Sequence, residues 1–230
     1  MLIHPSFQCR PQPGARSQGF SILEILVVVG VMLLMVGLIL GSTGAISSTQ
    51  GMSAVQQVTA LCDLARARSL RGDGAVLLAF AGASPGATGE PFRSAVLCAE
   101  DLTTEDPNDY VSISDWYHLP KGYVFSNVGA VDATAGVNVF SAPNARKLVR
   151  LPGGGAPAEM VCVGFGSLGE VVFPEAAASD VPAQDSLLIA VAEGQASADG
   201  ARSRSGGAIR PEECRWLALR RNSGSPMILP

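Results

Sequence analysis

One acid stands where an acid is costly. In QGFSILEILVVVGVMLLMVGLILGS, residues 18–42, Glu24 is the only charged side chain. A lone carboxylate near the centre of a membrane helix costs about 3 kcal/mol, less near an end, and usually marks function. What it can do there is meet a cation, since an ion pair offsets much of the cost of two separate charges. Other side chains able to do chemistry are sparse. His4 and His118 are the only histidines. Phe165-Gly166-Ser167-Leu168-Gly169 comes near the G-x-S-x-G turn of serine hydrolases, but Phe replaces the first Gly and His118 precedes the serine instead of following it. LPGGGAP (151–157) has neither the Lys nor the following helix of a phosphate loop. The acidic EDLTTEDPND (100–109) offers the oxygens calcium takes, without the spacing of a calcium loop, and reads as a solvated loop. No nucleophile with a base, paired acids or metal-ligand set emerges. The chain is therefore expected not to be an enzyme and to need no cofactor.

The five cysteines, Cys9, Cys62, Cys98, Cys162 and Cys214, show no C-x-x-C spacing and no neighbouring His, which argues against zinc. Without residues 1–19 four remain, a number compatible with disulfides in an oxidising compartment. Reduced thiols packed as small hydrophobes fit equally well. The formal charge of -4 is uneven. Residues 1–19 carry Arg10 and Arg16 and no acid, and residues 201–230 carry Arg202, Arg204, Arg210, Arg215, Arg220 and Arg221 against Glu212 and Glu213. The middle is acidic, so the composition gives no general affinity for nucleic acid.

The element that must position Glu24 is the apolar run itself. Phe20–Leu40 is 21 residues with one charge and no Pro. As a helix it matches the roughly 30 Å hydrocarbon core of a bilayer. Arg10 and Arg16 precede it and the next basic residue is Arg66. The positive-inside rule then keeps the N-terminus cytoplasmic and sends the remainder across. A cleaved signal peptide, cut near Thr43-Gly44-Ala45, is disfavoured because the run exceeds the usual apolar core of about 7–15 residues. A plain signal anchor fits the length but gives Glu24 no task.

GFSILEILVVV resembles the processing signal of type IV prepilins and type II secretion pseudopilins. In those families a basic leader ends in Gly, Phe usually follows, and Glu is fifth in the mature chain. Gly19, Phe20 and Glu24 hold those places here. The resemblance implies cleavage by prepilin peptidase after Gly19, methylation of the Phe20 amine, and filament assembly in which Glu24 meets the N-terminal amine of a neighbouring copy. It also implies other pilin or pseudopilin subunits, an inner-membrane assembly platform and membrane lipid as partners. Gly30 and Gly37 read as ordinary membrane-helix glycines.

After Leu40, Met52, Val55, Val58, Leu61, Cys62 and Ala65 recur at threes and fours, the spacing of an amphipathic helix. The predicted helix ends near Arg71-Gly72, with Arg66 and Arg68 on a solvated face. AVLLAF (75–80) reads as a strand. Further strands are predicted in 94–100, 109–116, 122–128, 144–151, 159–173, 186–194 and 215–224. Insertions at 83–91, 129–136, 152–158 and 194–208 read as loops. Ala65-Arg66, the Phe165–Gly169 segment and the closing Trp216–Gly224 segment resemble the pseudopilin H/FimT group. The fold class expected is α+β: a long N-terminal helix, membrane-spanning in its first half, packed on an antiparallel β-sheet head, pilin-like. The divisions expected are a cleaved leader (1–19), a transmembrane half-helix (20–41), an amphipathic half-helix (42–71) and a periplasmic head (72–230). The function expected is that of a minor pilin or pseudopilin serving secretion or pilus biogenesis. Two alternatives stand beside it: nucleic-acid binding through Arg220 and Arg221, as in FimT-like minor pilins of DNA uptake, and a standalone membrane-anchored periplasmic protein.

Overall fold

The computed structural model describes residues 21–72, 74–82, 89–101, 110–129, 136–142, 144–151, 156–174, 186–197 and 200–229, with no side chains described for 38–49. The chain divides into two compact units, Met1–Ile46 and Ser47–Pro230. Helix α1, Ile22–Ser69, contributes to both.

In the second unit α1 buries Ala54, Val55, Val58, Leu61, Cys62 and Ala65. This is the stripe its spacing predicts. The helix stops where the Ser69 hydroxyl bonds back to the Arg66 carbonyl at 2.8 Å and Gly72 turns the chain at φ +90°. Thirteen strands follow among the described residues: β1 Val76–Phe80, β2 Ser94–Glu100, β3 Tyr110–Ser112, β4 Tyr117–His118, β5 Tyr123–Ser126, β6 Val137–Asn138, β7 Arg146–Arg150, β8 Ala158–Phe165, β9 Val171–Phe173, β10 Ser186–Ser197, β11 Gly200–Ser203, β12 Cys214–Arg220 and β13 Pro226–Ile228.

The first sheet runs β1-β2-β3-β7-β8-β9, with β4 on β2, and β1 pairs with β8 as well as with β2. Strands β1, β2, β3, β7 and β8 therefore close on themselves as a five-stranded barrel. Its pairs are antiparallel except β3–β7, which is parallel with Tyr110 opposite Val149. The second sheet runs β11-β10-β12-β13, with β5 and β6 also on β10. Side-chain alternation sorts the core. Leu77, Ala79, Val96, Cys98, Met160 and Cys162 fill the barrel, while Val76, Leu78, Phe80, Leu97, Val163 and Phe165 face a second core shared with α1 and the second sheet.

The expected fold class is thereby corrected. The chain is mostly β, and its head is a closed barrel plus a second, mixed sheet instead of one antiparallel sheet under a long helix. Within the second unit, α1 packs on it through Ala54, Val55, Val58, Leu61, Cys62 and Ala65. Among the described residues no helix is long and apolar enough to cross a membrane. Strand β1 explains the difference in the head. All five of its residues are buried, because a strand paired on both edges and covered on both faces needs a continuous apolar run. AVLLAF shows that run without showing its second partner. Residues 194–197 and 200–203 are likewise no loop but a hairpin, with Gly194 opposite Ser203.

The cysteines at 62, 98, 162 and 214 are free thiols, the first three buried. Burial pushes Cys98 from 9.0 up to about 12 and Cys214 up to about 11, and raises Cys62 and Cys162 as well. The folded chain holds these protons after the unfolded chain has begun to release them. Stability is thus fully present below pH 9 and falls as pH rises towards 12, by at most about 1.4 kcal/mol per pH unit for each thiol. Urea midpoints measured from pH 8 to 11 should decline, and Cys98→Ala should flatten the slope while lowering the plateau.

Candidate assembly site

Helix α1 begins beside Ser21. The Ser21 hydroxyl accepts the Leu23 N–H at 3.3 Å, and the Ser21 carbonyl accepts from Glu24 and Ile25 at 2.9 and 3.2 Å. Ser21-Ile22-Leu23-Glu24 has the S-x-x-E spacing of a capping box. Glu24 falls in the first turn, where a carboxylate gains about 0.3–1 kcal/mol from the helix dipole. Sequence reasoning missed this local role, although the spacing was legible. Around the acid every side of the helix is apolar and uncovered. Ile22 is 84% exposed, Leu26 70% and Met32 62%. A Cβ built on Gly30 or Gly37 would touch nothing within 4 Å. Gly19 and Phe20, the expected cleavage and methylation residues, lie outside the described residues.

At the far end of α1 three segments singled out in the sequence come together. Gly169 (φ +77°) lies against Arg66 and Leu70, so that its Cβ would stand 3.0 Å from the Arg66 Nε. Gly224 packs against the Gly169 carbonyl and the Phe165 ring. The Gly224 N–H donates to the Arg220 carbonyl at 2.7 Å, and the Val171 N–H to the Arg221 carbonyl at 2.7 Å. Arg66 and Arg68 are not on a solvated face as expected. Both are half-buried, the Arg66 Nε is enclosed without a hydrogen-bond partner, and Arg68 donates to the Ile113 carbonyl at 3.4 Å. The 165–169 turn covers Arg66, and the segment after β3 takes Arg68.

The C-terminal arginines, clustered in sequence, are spread in space. Arg220 is exposed at the end of β12 opposite Ser186, while Arg215 lies towards its other end, opposite Val191. Arg204 pairs with Glu193 at 3.1 Å and Arg210 with Glu212 at 3.9 Å. Arg221 is half-buried and donates to the Pro174 carbonyl at 3.1 Å, and burial lowers its pKa from the ordinary value. Of the two residues expected to contact nucleic acid, Arg220 is free to face solvent and Arg221 is engaged within the fold.

The Phe165–Gly169 turn assembles no nucleophile with His118 among the described residues. Ser167 occupies the turn between β8 and β9, and His118 lies on strand β4. His118 Nδ1 instead lies 2.9 Å from Ser94 Oγ. That contact had no signal in sequence. Ser94 is fully buried, so a substrate carbonyl cannot reach its hydroxyl. In the acidic stretch, Asp101 pairs with Arg150 at 3.5 Å, and 102–109 lie outside the described residues. Among the described residues no three acidic, His or Cys side chains gather as a metal site.

Comparison with protein-family models, curated proteins and solved structures finds no match to this chain.

Proposed function

We propose that the chain is a filament subunit of the type IV pilin-like class, a minor pilin or pseudopilin, cut by prepilin peptidase between Gly19 and Phe20 and assembled with other subunits of its kind. The observation that carries this reading is Glu24 itself. It is a capped, first-turn carboxylate on a helix whose side chains, from Ile22 to Val36, are about half to more than four-fifths exposed on every side. Contiguous exposed apolar patches of a few hundred Å² already mark interaction sites. A carboxylate embedded in such surface calls for a cation brought by whatever covers it.

The convergence of Arg66, Phe165–Gly169 and Gly224 supports the narrower H/FimT assignment, since those are the segments on which the resemblance rests. The proposed location is the inner membrane, with the leader cytoplasmic and the head periplasmic, and then the filament. Its support is the charge asymmetry of Arg10 and Arg16 before the apolar run and no basic residue until Arg66. Partners on this reading are prepilin peptidase, sibling subunits, the assembly platform and lipid. Work is done by the machinery, and the subunit contributes surfaces.

The test is the mature N-terminus after co-expression with a prepilin peptidase. Mass spectrometry should find a chain starting at N-methylated Phe20. An intact Met1 terminus, or a cut near Ala45, would remove the filament reading.

A further inference from the structure

Within the second unit a pocket of about 270 Å³ lies between α1 and the β4–β5 segment. Leu61 and Leu64 of α1 form one wall, and Ala95, Leu119 and Phe125 form the other. Among the described residues no charged side chain lines it. The wall opposite the helix is pinned. The Leu119 N–H donates to the Arg93 carbonyl at 2.8 Å, and Arg93 Nη2 donates back to the Leu119 carbonyl at 3.1 Å. Strand β4 is therefore not free to fold down on the helix and close the space. An apolar cavity of about 150 Å³ already stays dry and takes up benzene. This pocket is large enough for a small apolar molecule.

One polar group in its lining is oriented. His118 lines the pocket and is exposed, and its Nδ1 lies 2.9 Å from Ser94 Oγ. Ser94 is fully buried, and Nδ1 is the partner of its hydroxyl among the described residues. A buried hydroxyl proton needs an acceptor, so Ser94 donates and Nδ1 accepts. The neutral imidazole then carries its proton on Nε2. That leaves one donor, fixed by a buried partner, on an exposed residue of an otherwise uncharged apolar pocket. The matching ligand has a short apolar body and a terminal oxygen that accepts a hydrogen bond. We propose that the pocket binds a free medium-chain fatty acid, its chain between α1 and the β4–β5 segment and its carboxylate on His118 Nε2. A phospholipid fits less well, because its second chain has no place in a pocket of this size. The site belongs to the head alone and does not rest on the filament reading.

The test irradiates the full-length chain in phosphatidylcholine vesicles with decanoic acid that carries a mid-chain diazirine, and maps the labelled peptides by mass spectrometry. Label is expected on the peptides that hold residues 60–64 and 117–119. Label on residues 22–36, whose apolar side chains are exposed, is the internal standard for acid dissolved in lipid. Ala60→Trp, at an exposed position in the pocket lining, should bring the head label down to background. Gln56→Trp, exposed one turn earlier and outside the lining, should leave it unchanged. His118→Leu should lower it about tenfold, the worth of one hydrogen bond to a charged group. Excess decanoic acid should displace the head label, and decylamine, whose ammonium accepts no hydrogen bond, should not. Melting temperatures show whether each variant's head folds, and if Ala60→Trp unfolds it, His118→Leu carries the test. Label confined to residues 22–36, equal labelling of the two Trp variants, full labelling of His118→Leu, or displacement by decylamine overturns the inference. The mature N-terminus bears only on the filament reading, so the two fail separately.

Discussion

Glu24→Ala is expected to leave cleavage after Gly19 intact while lowering the fraction of chain recovered in sheared filaments on the order of a hundredfold. Within its own helix Glu24 gains about 0.3–1 kcal/mol from the dipole of the first turn, and Ser21 keeps its hydrogen bonds when the acid is removed. A local loss of that size frays one turn and no more. A desolvated charge pair at an interface is another matter, since removing one partner costs about 2–5 kcal/mol, much of it from the cation left behind. A hundredfold effect therefore requires a partner outside the chain. Glu24→Gln, which keeps the shape and loses the charge, should behave like Glu24→Ala. A standalone anchored protein would be indifferent to both. The readings are the mature N-terminus by mass spectrometry and the filament fraction by immunoblot.

What the sequence disclosed was whatever depends on neighbours in the chain. Met52 to Ala65 at threes and fours gave the buried stripe of α1, and SAVLCAE gave a strand at Ser94–Glu100. What it hid depends on pairing at a distance. Nothing in AVLLAF says that Val76 lies between Ala99 and Phe165, and that double pairing turns a sheet into a barrel. The two-residue strands β4 and β6 are too short to carry a period. Strand β11 sits in Ala-, Ser- and Gly-rich sequence that resembles linker, and it is held by pairing to β10. At the candidate site the split is the same. Glu24 stood out because its cost is local, whereas Arg66 looked like part of a solvated helix face. Only the fold shows that the 165–169 turn closes over it. Arg221 shows the converse, since its guanidinium is committed to Pro174 on a segment 47 residues away.

The largest stability effect should come from Gly224→Ala. Gly224 sits at φ +61°, which favours glycine by about 1 kcal/mol. A side chain there would also fall well inside contact with the Gly169 carbonyl oxygen, and 3.1 Å from the Phe165 ring. The obstruction is backbone, so no rotamer relieves it. Neither turn is free to retreat. Gly224 is tied to Arg220 at 2.7 Å, Gly169 to Gly166 at 2.8 Å, and Val171 to Arg221 at 2.7 Å. Moving any of them pulls on the cover over Arg66 and on the end of β12. Overpacking of this kind adds about 1–3 kcal/mol, for a total near 3 kcal/mol and a melting temperature lower by roughly 10 °C. Gly72→Ala is the matched control. It has φ +90° but open space around its Cβ position, so it should cost only the conformational share of about 1 kcal/mol. If both variants melt alike, the stacked 165–169 and 220–224 turns yield easily. The three segments that resemble the H/FimT group would then be neighbours without being mutually braced. If Gly224→Ala is the worse by the expected margin, the spacing of Gly169 and Gly224 is a packing requirement of the head. Their appearance in one motif then has a physical cause independent of filament assembly.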